Sequence, residues 1–208
     1  MPAVSRLIDE ETMRTITGLF DTYDHATQAV RLLKDAGIPG DDISLVANNA
    51  DGLIKEEGHA HSETSASKGA GLGVATGAGV GLLAGLGALA IPGIGPVVAG
   101  GWLLSTAIGA ALGLTSGGIL GALLKAGVSE EDAHVYAEGV RRGGTLVTAR
   151  VDEARADSLN AILQSAQGVD IGARRQEYAA EGWERFDERS EPYVPTANSV
   201  PAAGVRRL

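Results

Sequence analysis

The chain has 208 residues, 44% of them hydrophobic, enough for one core of ordinary size or one small core with an appendage. A net charge of −9 sets no broad positive field against phosphate backbones, and the basic pairs Arg141-Arg142, Arg174-Arg175 and Arg206-Arg207 are too short to reverse that, so nucleic acid is excluded as an expected partner. Cysteine is absent, which removes disulfides, thiolate zinc sites and thiol nucleophiles and fits a reducing compartment.

Residues 1–13 read as a mobile N-terminus without an export signal, because Asp9, Glu10 and Glu11 stand where a signal peptide needs apolar residues. Residues 14–48 read as a first βαβ half. Thr15 to Phe20 is β-branched and apolar, Asp21 or Asp24 can cap the following helix, and Ala26, Ala29, Val30 and Leu33 recur at helical spacing before Gly37 ends it. Ile43 to Ala47 supplies the second strand.

Residues 49–68 are polar and small, the composition of a linker. The uncharged block that follows, residues 69–124, is the unusual part of the chain. Gly69, Gly73, Gly77, Gly81 and Gly85 are spaced by four, and so are Gly101, Ser105, Gly109, Gly113, Gly117 and Gly121. In a helix each set makes one slowly drifting stripe along which a second backbone can approach closely. Pro92, Gly93, Gly95 and Pro96 interrupt the run, so the spacing predicts a hairpin of two helices, a glycine zipper. Glycine opposes a helix by about 1 kcal/mol per residue relative to Ala, so burial in a bilayer or against other hairpins must hold it. Residues 69–90 would extend about 33 Å and residues 97–124 about 42 Å, against a hydrocarbon core of about 30 Å. Lys68 and Lys125 flank the block on one side and Trp102 sits near its turn, as at a membrane interface; a core anchor in a soluble oligomer explains Trp102 equally.

Residues 125–172 read as a short helix and a second βαβ half. Ser129 and Asp132 have capping-box spacing, Glu130 and Glu131 lie in the first turn, Arg141 and Arg142 in the last, and Gly143 follows. Thr145 to Val151 is strand-like, Asp152 opens a helix with Ala156, Leu159, Ile162 and Leu163 on one face, and Val169 to Ile171 is a short last strand. Residues 173–208 are a C-terminal helix, Gln176 to Glu188, and a proline-containing tail. The whole predicts an α+β fold: a ferredoxin-like βαβ…βαβ sandwich, helices on one face of a four-stranded antiparallel sheet, with the helical hairpin and one extra short helix inserted between its second and third strands.

Catalytic and cofactor signatures are wanting. No Gly-Lys-Ser/Thr follows the glycines, and the Gly79-Gly81-Ala84 spacing lies inside a period-four pattern and closes no strand, so no phosphate loop or dinucleotide site is expected. His59 and His61 lack a fixed third ligand, His25 and His134 read as helix-surface residues, and Glu130, Glu131 and Asp132 are explained by a helix N-terminus. No metal, cofactor or enzymatic activity is expected.

The stretches "ITGLFDTYDHATQAVRLLKDAGIPGDDISLVA", "IPGIGPVVAGG", "LLKAGVSEEDAHVYAEGVRRGGTLVTARVD" and "EGWERFD" resemble bacterial general stress proteins of the 17M-like type, over most of Ile16 to Asp187. The resemblance implies a non-enzymatic protein induced by stress. Joined to the glycine stripes, it gives the functional expectation: a homo-oligomeric interaction protein self-associating through its hairpin, in or on the inner membrane with a cytoplasmic α+β domain. The alternatives are a soluble cytoplasmic oligomer with a shared hairpin core and a small-molecule-sensing module.

Overall fold

A computed structural model describes residues 13–50, 87–91, 93–103, 118–191 and 193. Among them the chain runs β1 (Met13–Phe20), α1 (Tyr23–Asp35), a 3-10 turn (Gly40–Asp42), β2 (Ile43–Asn48), β3 (Gly87–Ile91), β4 (Gly95–Gly100), α2 (Gly118–Lys125), α3 (Glu130–Arg141), β5 (Thr145–Asp152), α4 (Glu153–Ser165) and α5 (Ile171–Ala180). This is an α+β fold built on one antiparallel sheet of order β1-β5-β2-β4-β3.

Local chemistry accounts for the helix ends. Thr22, extended at φ −131° and ψ 148°, caps α1 by accepting from the His25 N–H at 3.3 Å, a role the sequence had offered to Asp21 or Asp24. The Ser129 hydroxyl accepts from the Asp132 N–H at 3.2 Å and caps α3, as its spacing predicts. At the other end of α1, Gly37 (φ +89°) lets its N–H reach Lys34 O while the Ile38 N–H reaches Leu33 O; Gly143 and Gly144 close α3 in the same way onto Val140 and Gly139.

The centre of the sheet is β5, which pairs antiparallel with β1 on one side (Ile16 opposite Ala149) and β2 on the other (Ile43 opposite Ala149). Strands β1 and β2 are therefore parallel to each other with β5 between them, a split βαβ unit closed by α1. Alternation along the strands makes two cores. On one face Ile16, Phe20, Leu45, Val147 and Ala149 pack with Leu33 of α1 and Leu159 and Leu163 of α4. On the other, Leu19, Val46, Leu146, Val97 and Ala99 pack with Leu123 of α2, Ala133, Tyr136 and Val140 of α3, and Phe186. Each fully buried leucine or phenylalanine contributes about 1.5–3 kcal/mol, which puts most of the stabilisation in these two layers. Helices thus cover both faces, which corrects the expectation of helices on one face only: the sheet is apolar on both sides, and each side needs a cover.

The glycine block departs from expectation over residues 87–100, while residues 118–124 are helical, as the second arm of the hairpin was predicted to be. Residues 87–91 and 95–100 form a β-hairpin, with Ile91 opposite Gly95 and Val98 opposite Ala47 of β2, where two helices were predicted. Ile91, Ile94, Val97 and Val98 are β-branched, and the free edge of β2 offers backbone partners that a helix would forgo; these outweigh a glycine spacing that supplies no helix propensity of its own. The turn falls at the predicted place, with Gly93 (φ +75°) and Gly95 (φ +98°) left-handed, but it joins strands.

Candidate functional site

Of the residues picked out as helix-packing contacts, Gly69, Gly73, Gly77, Gly81, Gly85, Ser105, Gly109, Gly113 and Gly117 lie outside the described residues, as do Lys68, Pro92, His59 and His61. Gly101 is not itself helical and stands between β4 and the helical Trp102 and Leu103. At φ +93° it ends β4, and a Cβ there would stand 2.3 Å from the Ile43 carbonyl oxygen, so it is a close backbone crossing over β2. Gly121 is buried inside α2, Lys125 is exposed in its last turn, and Pro96 is exposed on β4. Trp102 is half-buried: its indole N–H donates to Asp42 O at 3.0 Å and the Arg150 guanidinium lies 5.1 Å from its ring centroid, so it anchors the end of β4 to the α+β body. Among the described residues no helix is long and apolar enough to cross a membrane, and no three side chains of the ligating kinds are grouped to hold a metal.

The feature that sequence reasoning placed wrongly is the last strand. Residues 169–171 were expected to form the fourth strand of the sheet, and the open position for it is beside β1. Instead a single backbone bond, Val169 N–H to Leu19 O at 2.8 Å, closes one end of that position, and Asp170 turns the chain away by capping α5 through the Ala173 N–H at 2.9 Å. A capping aspartate one residue after Val169 competes with extension of the strand, and the cap wins.

What remains is a groove of about 770 Å³ along β1, lined by Met13 to Thr17, by Ser129, Asp132 and Tyr136 at the start of α3, by Glu153, Ala156, Asp157, Asn160 and Gln164 along one side of α4, and by Val169 to Ile171 at its closed end. A gap of this size is in the range of about 300–1,000 Å³ that holds ligands or inserted segments, well beyond a packing defect. Its floor is a strand edge. Leu19 turns its backbone outward to Val169, and because a strand alternates, Met13, Thr15 and Thr17 turn theirs outward too. Thr17 O accepts from the Tyr136 hydroxyl at 3.1 Å; no described group pairs with the outward backbone of Met13 or Thr15.

Tyr136 forms the wall on the α3 side. It is 8% exposed, and burial first, then the charge of Asp132, raises its phenol far above the ordinary 10.0, so it stays a hydrogen-bond donor throughout the neutral range. Opposite, Arg14 reaches Glu153 at 3.1 Å and Asp157 at 4.0 Å; Asp157 is fully exposed. The Thr17 hydroxyl, buried beside the groove, has no partner among the described residues, and neither does that of Thr148, its cross-strand neighbour. The groove therefore offers main-chain donors and acceptors, a buried phenol, short polar side chains and an excess of carboxylate. It can accept an extended backbone; its hydroxyl–carboxylate contact, Ser129 to Asp132 at 2.7 Å, belongs to the capping of α3.

A second polar cluster is structural. Glu138, 1% exposed, takes Arg142 Nε at 2.6 Å on one oxygen and Arg141 Nε at 2.9 Å on the other. Arg142 in turn pairs with Glu181 and lies 4.1 Å over the Tyr178 ring, while Arg174 pairs with Asp21 at 2.9 Å. The Arg142 contacts fix α5 and the following segment against α3, and the Arg174–Asp21 pair ties α5 to the turn after β1. The sequence carried a signal for it: a glutamate three and four residues before two arginines on a helix whose other positions there are Ala, Gly and Val.

No family model, curated protein or solved structure matches the chain.

Proposed function

We propose that the chain is a non-enzymatic interaction protein that associates with copies of itself, in the stress-response setting that its resemblance to the general stress proteins implies. Its body is read as a ferredoxin-like unit that keeps one split βαβ half and lacks the final strand. The observation that carries the proposal is the groove on β1: an open sheet edge between two helices is a ready-made template for another strand, and proteins that do not use such edges guard them. Strands at residues 87–100 shorten the helical pair as first drawn, and since Gly69 to Gly85 and Ser105 to Gly117 lie outside the described residues, self-association is assigned to the α+β body.

Sedimentation velocity of the full chain over a hundredfold range of concentration tests the reading. A concentration-dependent shift from one copy to two or more is expected, and a single species of one copy up to about 100 μM would refute it. Membrane fractionation with an alkaline carbonate wash decides between the soluble oligomer and the bilayer-bound form, which rests on residues outside those described.

A further inference from the structure

We infer that the partner of the β1 edge is β1 of a second copy, paired antiparallel about a two-fold axis at Thr15. This rests on the self-association proposed above and adds the surface and the register.

Among the described residues the open part of the edge runs from Met13 to Thr17: a backbone N–H, that of Val169, already takes Leu19 O, whereas Thr17 O accepts only the Tyr136 hydroxyl and keeps a second lone pair for a strand N–H. Thr15 is its midpoint. An antiparallel pair of identical strands needs a residue that faces its own copy, with outward backbone groups on both sides of it; Thr15 faces Thr15, and Met13 faces Thr17. Residues 13–17 contain no proline and no lysine, their one charge, Arg14, is held by Glu153, and the strand pairs continuously with β5 from Met13 to Phe20 without a bulge. Met13, 52% exposed at the mouth, gains apolar cover in such a pair.

Charge decides between a second copy and an arbitrary strand. The rim presents Glu153 and Asp157 on α4, and Asp157 is only grazed by Arg14 of its own chain at 4.0 Å. Glu153 already holds Arg14 of its own chain at 3.1 Å, and a passing acidic or neutral strand leaves Asp157 with nothing closer than its 4.0 Å contact. A second copy brings its own Arg14 one residue from the axis, on the same face of the sheet as α4, so that the two arginines and the two Asp157 side chains satisfy each other reciprocally. The main-chain bonds supply the affinity and this exchange sets the register.

The chain contains no cysteine, so one introduced thiol reports without background. Thr15→Cys, treated in dilute solution as full-length protein with a short thiol-to-thiol cross-linker, is expected to give a covalent dimer in high yield, since facing residues of a hydrogen-bonded antiparallel pair hold their Cα atoms about 5.5 Å apart, wide for an unstrained disulfide at Cβ but within such a linker's span. Met13→Cys is expected to give at least tenfold less, because Met13 faces Thr17 and two copies of Met13 stand four residues apart. Equal cross-linking at both positions overturns the register, and a free thiol at residue 15 in a protein that sediments as a dimer overturns the edge while leaving self-association standing. A wild-type chain that sediments as one copy at every concentration overturns both. Thr15→Pro removes an outward N–H without touching the β5 ladder; with an unchanged circular dichroism spectrum it is expected to weaken dimerisation at least tenfold, and undiminished dimerisation counts against the pairing.

Discussion

Replacing Tyr136 by Phe tests the wall of the groove and its electrostatics together. The substitution deletes one hydroxyl from a side chain that is 8% exposed, and with it the 3.1 Å bond to Thr17 O that ties α3 to β1. At pH 7 the loss is one hydrogen bond, about 1 kcal/mol. Alkali changes the sign. In the folded protein burial, reinforced by Asp132, keeps the phenol protonated far above 10.0, whereas in the unfolded chain it titrates at its ordinary value. A group whose folded pKa is raised contributes its full stability below the unfolded pKa and loses it as pH climbs beyond, because ionisation then favours the unfolded chain. At pH 11, one unit above 10.0, that loss is about 1.4 kcal/mol for the wild type and nil for the Phe variant. The wild type should therefore lead by about 1 kcal/mol at pH 7 and trail by a few tenths at pH 11. Tyr23 and Tyr178, also raised by burial, are common to both proteins and cancel in the difference. Urea unfolding followed by the fluorescence of Trp102 and Trp183 at both pH values measures it. A stability difference that stays constant between pH 7 and pH 11 would refute the reasoning.

Two further substitutions probe the frame that holds the groove. Glu138→Ala strips the shared carboxylate from Arg141 and Arg142, which are themselves only 18% and 17% exposed; a loss of about 3 kcal/mol is expected, lowering the melting temperature by about 6–12 °C, and a loss under about 1 kcal/mol would mean the arginines find equal partners elsewhere. Gly101→Ala forces an L-residue to φ +93° with its Cβ 2.3 Å from Ile43 O, so about 3 kcal/mol should go, with a change in Trp102 fluorescence as β4 lifts from β2; a variant melting within 2 °C of the wild type would show that the crossing relaxes freely.

The elements of the body were legible because each rests on neighbours in sequence. Apolar spacing over Ala26 to Leu33 marks α1, Ser129 with Asp132 marks the start of α3, and β-branched runs mark β1, β2 and β5, all within a residue or two of where they form. The C-terminal helix was expected at Gln176 to Glu188 and lies at Ile171–Ala180, because Asp170 is the stronger cap.

What the sequence by itself determined, then, is the set of local segments, their amphipathic faces and the position of the turn near Gly93, since capping, propensity and periodicity act over three or four residues. Tertiary structure decided the rest. Whether residues 87–100 became helix or strand depended on the unpaired edge of β2, which exists only once β5 has taken the opposite side. Whether residues 169–171 completed the sheet depended on one capping bond against one ladder bond. The groove on β1 follows from that second choice, because a strand edge is open or closed according to a neighbour far away in the chain, as Val169 is from Leu19.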